Sequence, residues 1–174
     1  MDSTQHSPVI DRGLITQGTA SSEPGQTQGG AASTMRAAVI SLGGEIFTID
    51  LKSVREVFVI ESITPVPGMP PGLVGVTNLR GTVIPLLDLR SMFALNSDAP
   101  LRYAVVLKHE KWQVGILVDR VPEIRTLSKE QFMPAPAGTG ERVFPIVSTV
   151  VKLEDRFRGL LEASVVLSHF EGIN

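Results

Sequence analysis

No cysteine occurs among the 174 residues of this chain. That absence excludes disulfides, thiolate metal sites and a cysteine nucleophile, and it fits a reducing compartment. Aromatic residues are scarce, with one Trp, one Tyr and seven Phe. Trp112 and Tyr103 are too isolated to suggest a base-stacking platform. Histidine is limited to His6, His109 and His169, and none has a partner at metal-ligand spacing. Positive charge is not in excess. A formal net charge of −2 provides no global field to gather nucleic acid or anionic lipid. No apolar run approaches the roughly 20 residues of a membrane helix. The opening MDSTQHSPVI lacks the basic and apolar regions of a signal peptide, so a cytoplasmic protein without membrane insertion is expected. Nucleotide-binding and hydrolase signatures (P-loop, G-x-G-x-x-G, G-x-S-x-G, H-E-x-x-H) are missing as well. No catalytic residue, metal or cofactor is expected.

What is present begins at about residue 35. Residues 1–34 are rich in Gln, Gly, Ser and Thr, too poor in apolar side chains to offset the entropy of ordering, and are expected to form a mobile tail. Within them, PVIDRGLI has the length of a short docking motif, although composition favours a plain leader. From Met35 to about residue 170, short runs of Val, Ile, Leu and Phe alternate with turn residues. MRAAVISL and EIFTID flank Gly43-Gly44 as a hairpin. Asp50 is placed to cap a short helical turn, and Ser53 and Glu56 have capping-box spacing. TPVPGMPPG, with four prolines, is a stiff loop, and MPAPAGTGER is a second loop. Further hairpins are expected at GVTNLRGTVIPLL, RYAVVLKH–WQVGILVD and STVVKLEDRFRGLLE, with short helices at LDLRSMFAL and ASVVLSHF. No long helical periodicity interrupts this pattern, which argues for small β-barrels or a sandwich.

The two halves of the folded region repeat each other. Phe47-x-Ile49 and Val54-x-Glu56-Val57 recur 67 residues later as Val114-x-Ile116 and Val121-x-Glu123-Ile124. Leu79 through Asp88 recurs 74 residues later as Leu153 through Glu162. This duplication predicts two similar barrels of roughly 65 to 70 residues, each marginal alone and therefore packed on the other. It also separates folding from function. Glu56 matches Glu123, Asp88 matches Glu162, and Gly81 matches Asp155, so these have structural readings as caps, helix-end charges or turns. Arg80 has no such mate, because Glu154 stands in its place, and Asn78 is matched by Lys152. Arg80 is therefore the better candidate for function.

The block N-L-R-G-x-V-x-P-x-x-D-L-R, Asn78 to Arg90, with the residues before it and VGILVDRVPEIRTLSKEQFMPAP after it, resembles the CheW-like domain family, that of the bacterial chemotaxis coupling protein. The resemblance covers about residues 35–170. It implies an all-β fold with short helices: two SH3-like five-stranded β-barrels packed together behind a disordered N-terminal tail. It implies a non-catalytic adaptor that links the cytoplasmic tip of chemoreceptors to the regulatory domain of a chemosensory histidine kinase, in arrays recruited to the membrane. It further implies a receptor-facing set of Val54, Glu56, Val57, Asn78 and Arg80. The chain departs from the family at its end, where Arg158 and Gly159 interrupt an otherwise apolar last strand. A fused receiver or kinase would need well over another 100 residues, so a stand-alone adaptor is expected. Other readings are a CheW-like adaptor of a non-flagellar pathway, serving twitching motility or surface-sensing nucleotide signalling, and a small-molecule-binding double barrel.

Overall fold

Among the described residues, eleven strands form from the short β-branched runs, and they are distributed between two curled sheets in an order that the chain does not follow. The computed structural model describes residues 33–135 and 146–170. The expected tail, its PVIDRGLI segment and most of the MPAPAGTGER loop lie outside the described residues. Strands β1 (Thr34–Leu42) and β2 (Glu45–Asp50) make the first hairpin, followed by a 3-10 turn over Leu51–Ser53. Asp50 caps that turn by accepting from the Lys52 amide at 2.9 Å. Ser53 and Glu56 form no capping box, because β3 (Val54–Val59) begins at once. Then come β4 (Leu73–Leu79), β5 (Thr82–Leu87), helix α1 (Leu89–Met92), β6 (Tyr103–His109), β7 (Trp112–Val118) and β8 (Glu123–Ser128). A 3-10 turn at Lys129–Gln131 leads into β9 (Phe132–Pro134), and β10 (Thr149–Leu153), β11 (Arg156–Leu160) and helix α2 (Ala163–Ser168) complete the described chain.

Barrel A has the order β8-β1-β2-β11-β10-β9, and barrel B the order β3-β6-β7-β5-β4. Barrel B has the five strands expected; barrel A gains a sixth from the three residues of β9. Each sheet curls until its outer strands meet. In barrel B the chain after β3 bridges β4, with reciprocal Thr64–Val76 backbone hydrogen bonds of 2.8 and 2.9 Å. In barrel A the three-residue 3-10 turn joins β8 to β9, and Gln131 Nε2 donates to the Lys152 carbonyl at 2.7 Å.

The repeats interlace. Barrel A combines β1 and β2 with β8 to β11, whereas barrel B combines β3 to β5 with β6 and β7. Each repeat thus gives its leading hairpin to the barrel built on the other. The two crossovers are equivalent: Gly115 of β7 pairs in parallel with Leu86 of β5, and Thr48 of β2 pairs in parallel with Leu160 of β11. Shifting the first pair by 67 and 74 residues gives the second, so the strand register reproduces both offsets of the sequence repeat. Asp88 precedes α1 and Glu162 precedes α2, as the duplication requires.

Among the described residues, three apolar cores follow from this arrangement. Ala37, Leu127 and Val151 fill barrel A, and Leu86, Ala104 and Leu117 fill barrel B. Between the barrels lies the largest core, where Ile40, Leu42, Phe47 and Ile49 meet Leu87, Val105, Leu107, Val114 and Ile116. Helix α2 buries Val166 and Leu167 in that shared core. The departure at the end of the chain is accommodated here: β11 forms, and Gly159 lies where an added Cβ would sit 3.0 Å from the Phe47 ring and 3.1 Å from Val147.

Candidate functional site

The block from Asn78 to Arg90 divides into two parts with different tasks. Its second part holds the fold. Asp88 caps α1 by accepting from the Arg90 amide at 3.0 Å, and its carboxylate takes a forked contact from the Arg90 guanidinium, with Nη2 to Oδ2 at 2.8 Å. Arg90 Nη1 donates to the Ser97 and Ala99 carbonyls, both at 3.2 Å, which ties down the loop before β6. Hydrogen bonding to Asp88 raises the Arg90 pKa above its already high ordinary value, against the opposing effect of burial. A planar fork satisfying a carboxylate and two carbonyls is an Arg-specific arrangement.

The first part is a turn with an exposed charge. Arg80 and Gly81 connect β4 to β5, both with positive φ, 51° and 84°. Asn78 Oδ1 accepts from the Gly81 amide at 2.8 Å, so Asn78 braces the turn. The left-handed backbone at Arg80 is a demand of the hairpin and not of the site: its counterpart Glu154 has φ 54° in the β10–β11 turn. The Arg80 side chain is free of that demand. It is 80% exposed, and its Nη1 lies 3.0 Å from Glu56 Oε2 on β3. Arg55 Nε approaches the other Glu56 oxygen at 3.7 Å.

A β-bulge between Val54 and Glu56 arranges the rest. Val54 opposes Leu107 and Glu56 opposes Val106, so Arg55 is the extra residue. Without it, Val54 and Val57 would point to opposite faces. With it, both lie on the outer face beside Leu107 and Val105, while Glu56 shares the inward register of Val106 and turns toward Arg80. Val54 is partly buried against the shared core, whereas Val57 is 39% exposed. The five residues expected from the resemblance are therefore positioned as an ion pair between the exposed Arg80 and the half-buried Glu56, an exposed apolar position (Val57), a half-buried support (Val54) and a turn brace (Asn78).

The Glu56–Arg80 pair was not anticipated from the sequence, although a signal existed. Arg80 and Glu56 have opposite charges, whereas their counterparts Glu154 and Glu123 have the same charge. Barrel A cannot form the equivalent bridge, and Glu123 instead pairs along its own strand with Arg125 at 3.0 Å. Elsewhere, Asp119 at the end of β7 clamps the β1–β2 turn, accepting from Ser41 Oγ at 2.9 Å and from the Gly43 and Gly44 amides at 3.1 and 2.9 Å. Among the described residues no group of three or more His, Asp or Glu is arranged to hold a metal, and no helix is long and apolar enough to cross a membrane.

The model of the CheW-like domain matches residues 36–171, which include both barrels and both helices. The chain is 37% identical over 100 residues to the chemotaxis protein CheW of Klebsiella aerogenes, a match spanning 56% of this chain and 60% of that protein, less than two thirds of its length. It is 33% identical over 129 residues to the chemotaxis protein CheW of Rhizobium meliloti, spanning 72% of this chain and 82% of that one. The crystal structure of the scaffolding protein TtCheW from Thermoanaerobacter tengcongensis matches with a TM-score of 0.66 and 26% identity, over 74% of this chain and 88% of that structure. With the interlaced barrels, the family block from Asn78 to Arg90 and a match over residues 36–171, the chain belongs to the CheW-like domain family.

Proposed function

We propose that this chain is a non-catalytic scaffold that couples the cytoplasmic tips of chemoreceptors to the regulatory domain of a chemosensory histidine kinase, at membrane-associated arrays on the cytoplasmic side. Membership of the family supports the scaffold role, and the relatives named above are chemotaxis proteins. The observation that carries the reading is the Glu56–Arg80 pair. It is an exposed feature of barrel B that barrel A, built from the same repeat, does without. A charge that folding does not require, set beside the exposed Val57, is suited to gripping another protein. The receptor's helical hairpin docks against this end of barrel B, and the kinase domain meets the scaffold barrel to barrel.

Co-sedimentation with receptor-bearing membranes, with and without kinase, tests this function. The wild-type chain pellets with receptor and brings kinase with it, whereas Arg80→Glu stays largely in the supernatant while retaining its circular dichroism spectrum. A wild-type chain that pellets with neither partner refutes the coupling role.

A further inference from the structure

The chain passes directly between the barrels at two equivalent places. From β2 of barrel A to β3 of barrel B it uses the 3-10 turn Leu51–Ser53, and from β7 of barrel B to β8 of barrel A it uses residues 119–122. The 67-residue offset that relates Phe47 to Val114 and Val54 to Val121 also relates Lys52 to Asp119, one in each crossing. The same offset relates the β1–β2 turn at Gly43-Gly44 to the β6–β7 turn at Glu110-Lys111. The backbone agrees, with φ 57° at Gly43 and 54° at Glu110.

The two crossings share a backbone plan but not a chemistry. Asp119 takes hold of the opposite barrel. Its amide donates to the Ser41 carbonyl at 2.9 Å, and its carboxylate accepts from Ser41 Oγ and from the Gly43 and Gly44 amides. Ser41 is buried, so this contact is made at the margin of the shared core. Gly43 sets the same turn closely against barrel B: a Cβ there would lie 3.1 Å from Leu95 Cβ and 3.6 Å from Arg90 Cδ. The Arg90 pKa is raised first by the hydrogen bond with Asp88 and in smaller part by the Asp119 charge, so the latter is felt within the α1 segment as well. At the other crossing Lys52 offers no acceptor. Its amide is taken by Asp50 at 2.9 Å, and among the described residues no ion pair joins Lys52 to the β6–β7 turn, whose Glu110 and Lys111 are exposed. By the criterion that singled out Arg80, a feature of one half alone is not a requirement of the fold.

The core shared by the barrels is apolar. Apolar burial has no direction, and elements packed in this way can slide on one another. A carboxylate accepting from three donors does have direction, and such charge-assisted bonds are the stronger kind. We propose that Asp119 is a latch that sets the angle between the two barrels, and that it is thereby a positioning residue for co-assembly. It fixes the direction in which the scaffold holds the receptor helix relative to the kinase domain. This inference rests on the coupling reading above and adds which residue gives the scaffold its geometry.

The chain has no cysteine, so a pair of introduced cysteines takes up spin labels at those two positions alone. Val83→Cys on barrel B and Phe157→Cys on barrel A make a cross-barrel pair at exposed positions, and Ile124→Cys with Phe157→Cys makes a pair within barrel A. Pulsed electron paramagnetic resonance on the full chain gives a distance distribution for each pair, and with Asp119 in place both are narrow. Asp119→Asn removes the charge and leaves a single accepting oxygen. The cross-barrel distribution then broadens, whereas the one within barrel A does not. Ser41→Ala, which removes one of the three donors, broadens it to a smaller extent and decides the matter should Asp119→Asn not fold. Val151→Ala, which loosens the core of barrel A without touching the latch, leaves the cross-barrel distribution narrow. In binding measurements Asp119→Asn keeps its affinities for the isolated kinase regulatory domain and for a soluble helical-hairpin fragment of a chemoreceptor tip within about threefold, while the affinity of either binary complex for the third component falls about tenfold. A cross-barrel distribution that is already broad in wild type, or unchanged in Asp119→Asn, overturns the latch and leaves receptor coupling standing. A broadened distribution with binary and ternary affinities falling in equal proportion overturns the positioning role. If the folded wild-type chain binds neither partner, the coupling reading and the positioning role fall together, and the distance distributions still decide whether Asp119 latches the barrels.

Discussion

Exchanging the charges of Glu56 and Arg80 separates a brace from a contact. The pair spans β3 and the β4–β5 turn at 3.0 Å, with the Arg80 side chain 80% exposed and that of Glu56 22% exposed. Exposed ion pairs contribute about 0.2–1 kcal/mol. Arg80→Glu removes that contribution and sets two carboxylates close together, adding about 1 kcal/mol of repulsion before the side chains move apart. The backbone accepts the change, because Glu154 already occupies the equivalent turn position with φ 54°. The total cost is about 1–2 kcal/mol, a fall in Tm of roughly 3–8 °C. Loss of a charged hot spot costs about 2 kcal/mol or more in binding, roughly thirtyfold. The double variant Glu56→Arg/Arg80→Glu restores an ion pair within the barrel but presents inverted charge to the partner. Thermal unfolding of the double variant returns to within about 0.5 kcal/mol of wild type, while its affinity for the receptor-tip fragment stays at the level of Arg80→Glu. Recovery of affinity to within about threefold of wild type, roughly 0.7 kcal/mol, would mean that Arg80 acts only through Glu56, and the assignment of a direct contact would be wrong.

Three further variants probe the scaffold that positions the site. Gly75→Ala places a Cβ 2.5 Å from the Thr64 carbonyl oxygen and 2.8 Å from Ile63, at φ 152°, and forces open the seam that closes barrel B. It destabilises by about 2–4 kcal/mol, and amide exchange accelerates first at Thr64 and Val76. Asp119→Ala removes three hydrogen bonds to a carboxylate at the β1–β2 turn; urea unfolding shows a loss of about 2–4 kcal/mol. Arg90→Lys keeps the charge but loses the fork shared by Asp88, Ser97 and Ala99. It costs about 1–3 kcal/mol, and limited proteolysis finds new cleavage between residues 96 and 100.

The strands, the short helices and the repeat were legible in the sequence because each depends on local chemistry: β-branched runs, turn residues and caps. The repeat even specified register, since the two offsets that align Phe47 with Val114 and Leu86 with Leu160 also relate the two parallel crossovers. The exchange of hairpins was not legible. It depends on which sheet edge β1 and β6 find, and Ala37 or Val105 would be buried equally well in either partner. At the site, Arg80 was singled out by its missing mate. Its ion pair with Glu56 is a contact between distant strands, and the bulge at Arg55 that shapes it leaves no trace in the local pattern.

The hairpin exchange has a consequence for how the chain matures. Barrel A needs β1 and β2 from one end of the sequence and β10 and β11 from the other. On the ribosome, β2 therefore lacks its neighbour β11, and Ala37 its core partner Val151, until the last hairpin has been synthesised. Neither half of the polypeptide is an autonomous folding unit. Two fragments separated in the loop between α1 and β6 have to trade hairpins to become native, so they should be soluble together and aggregate apart.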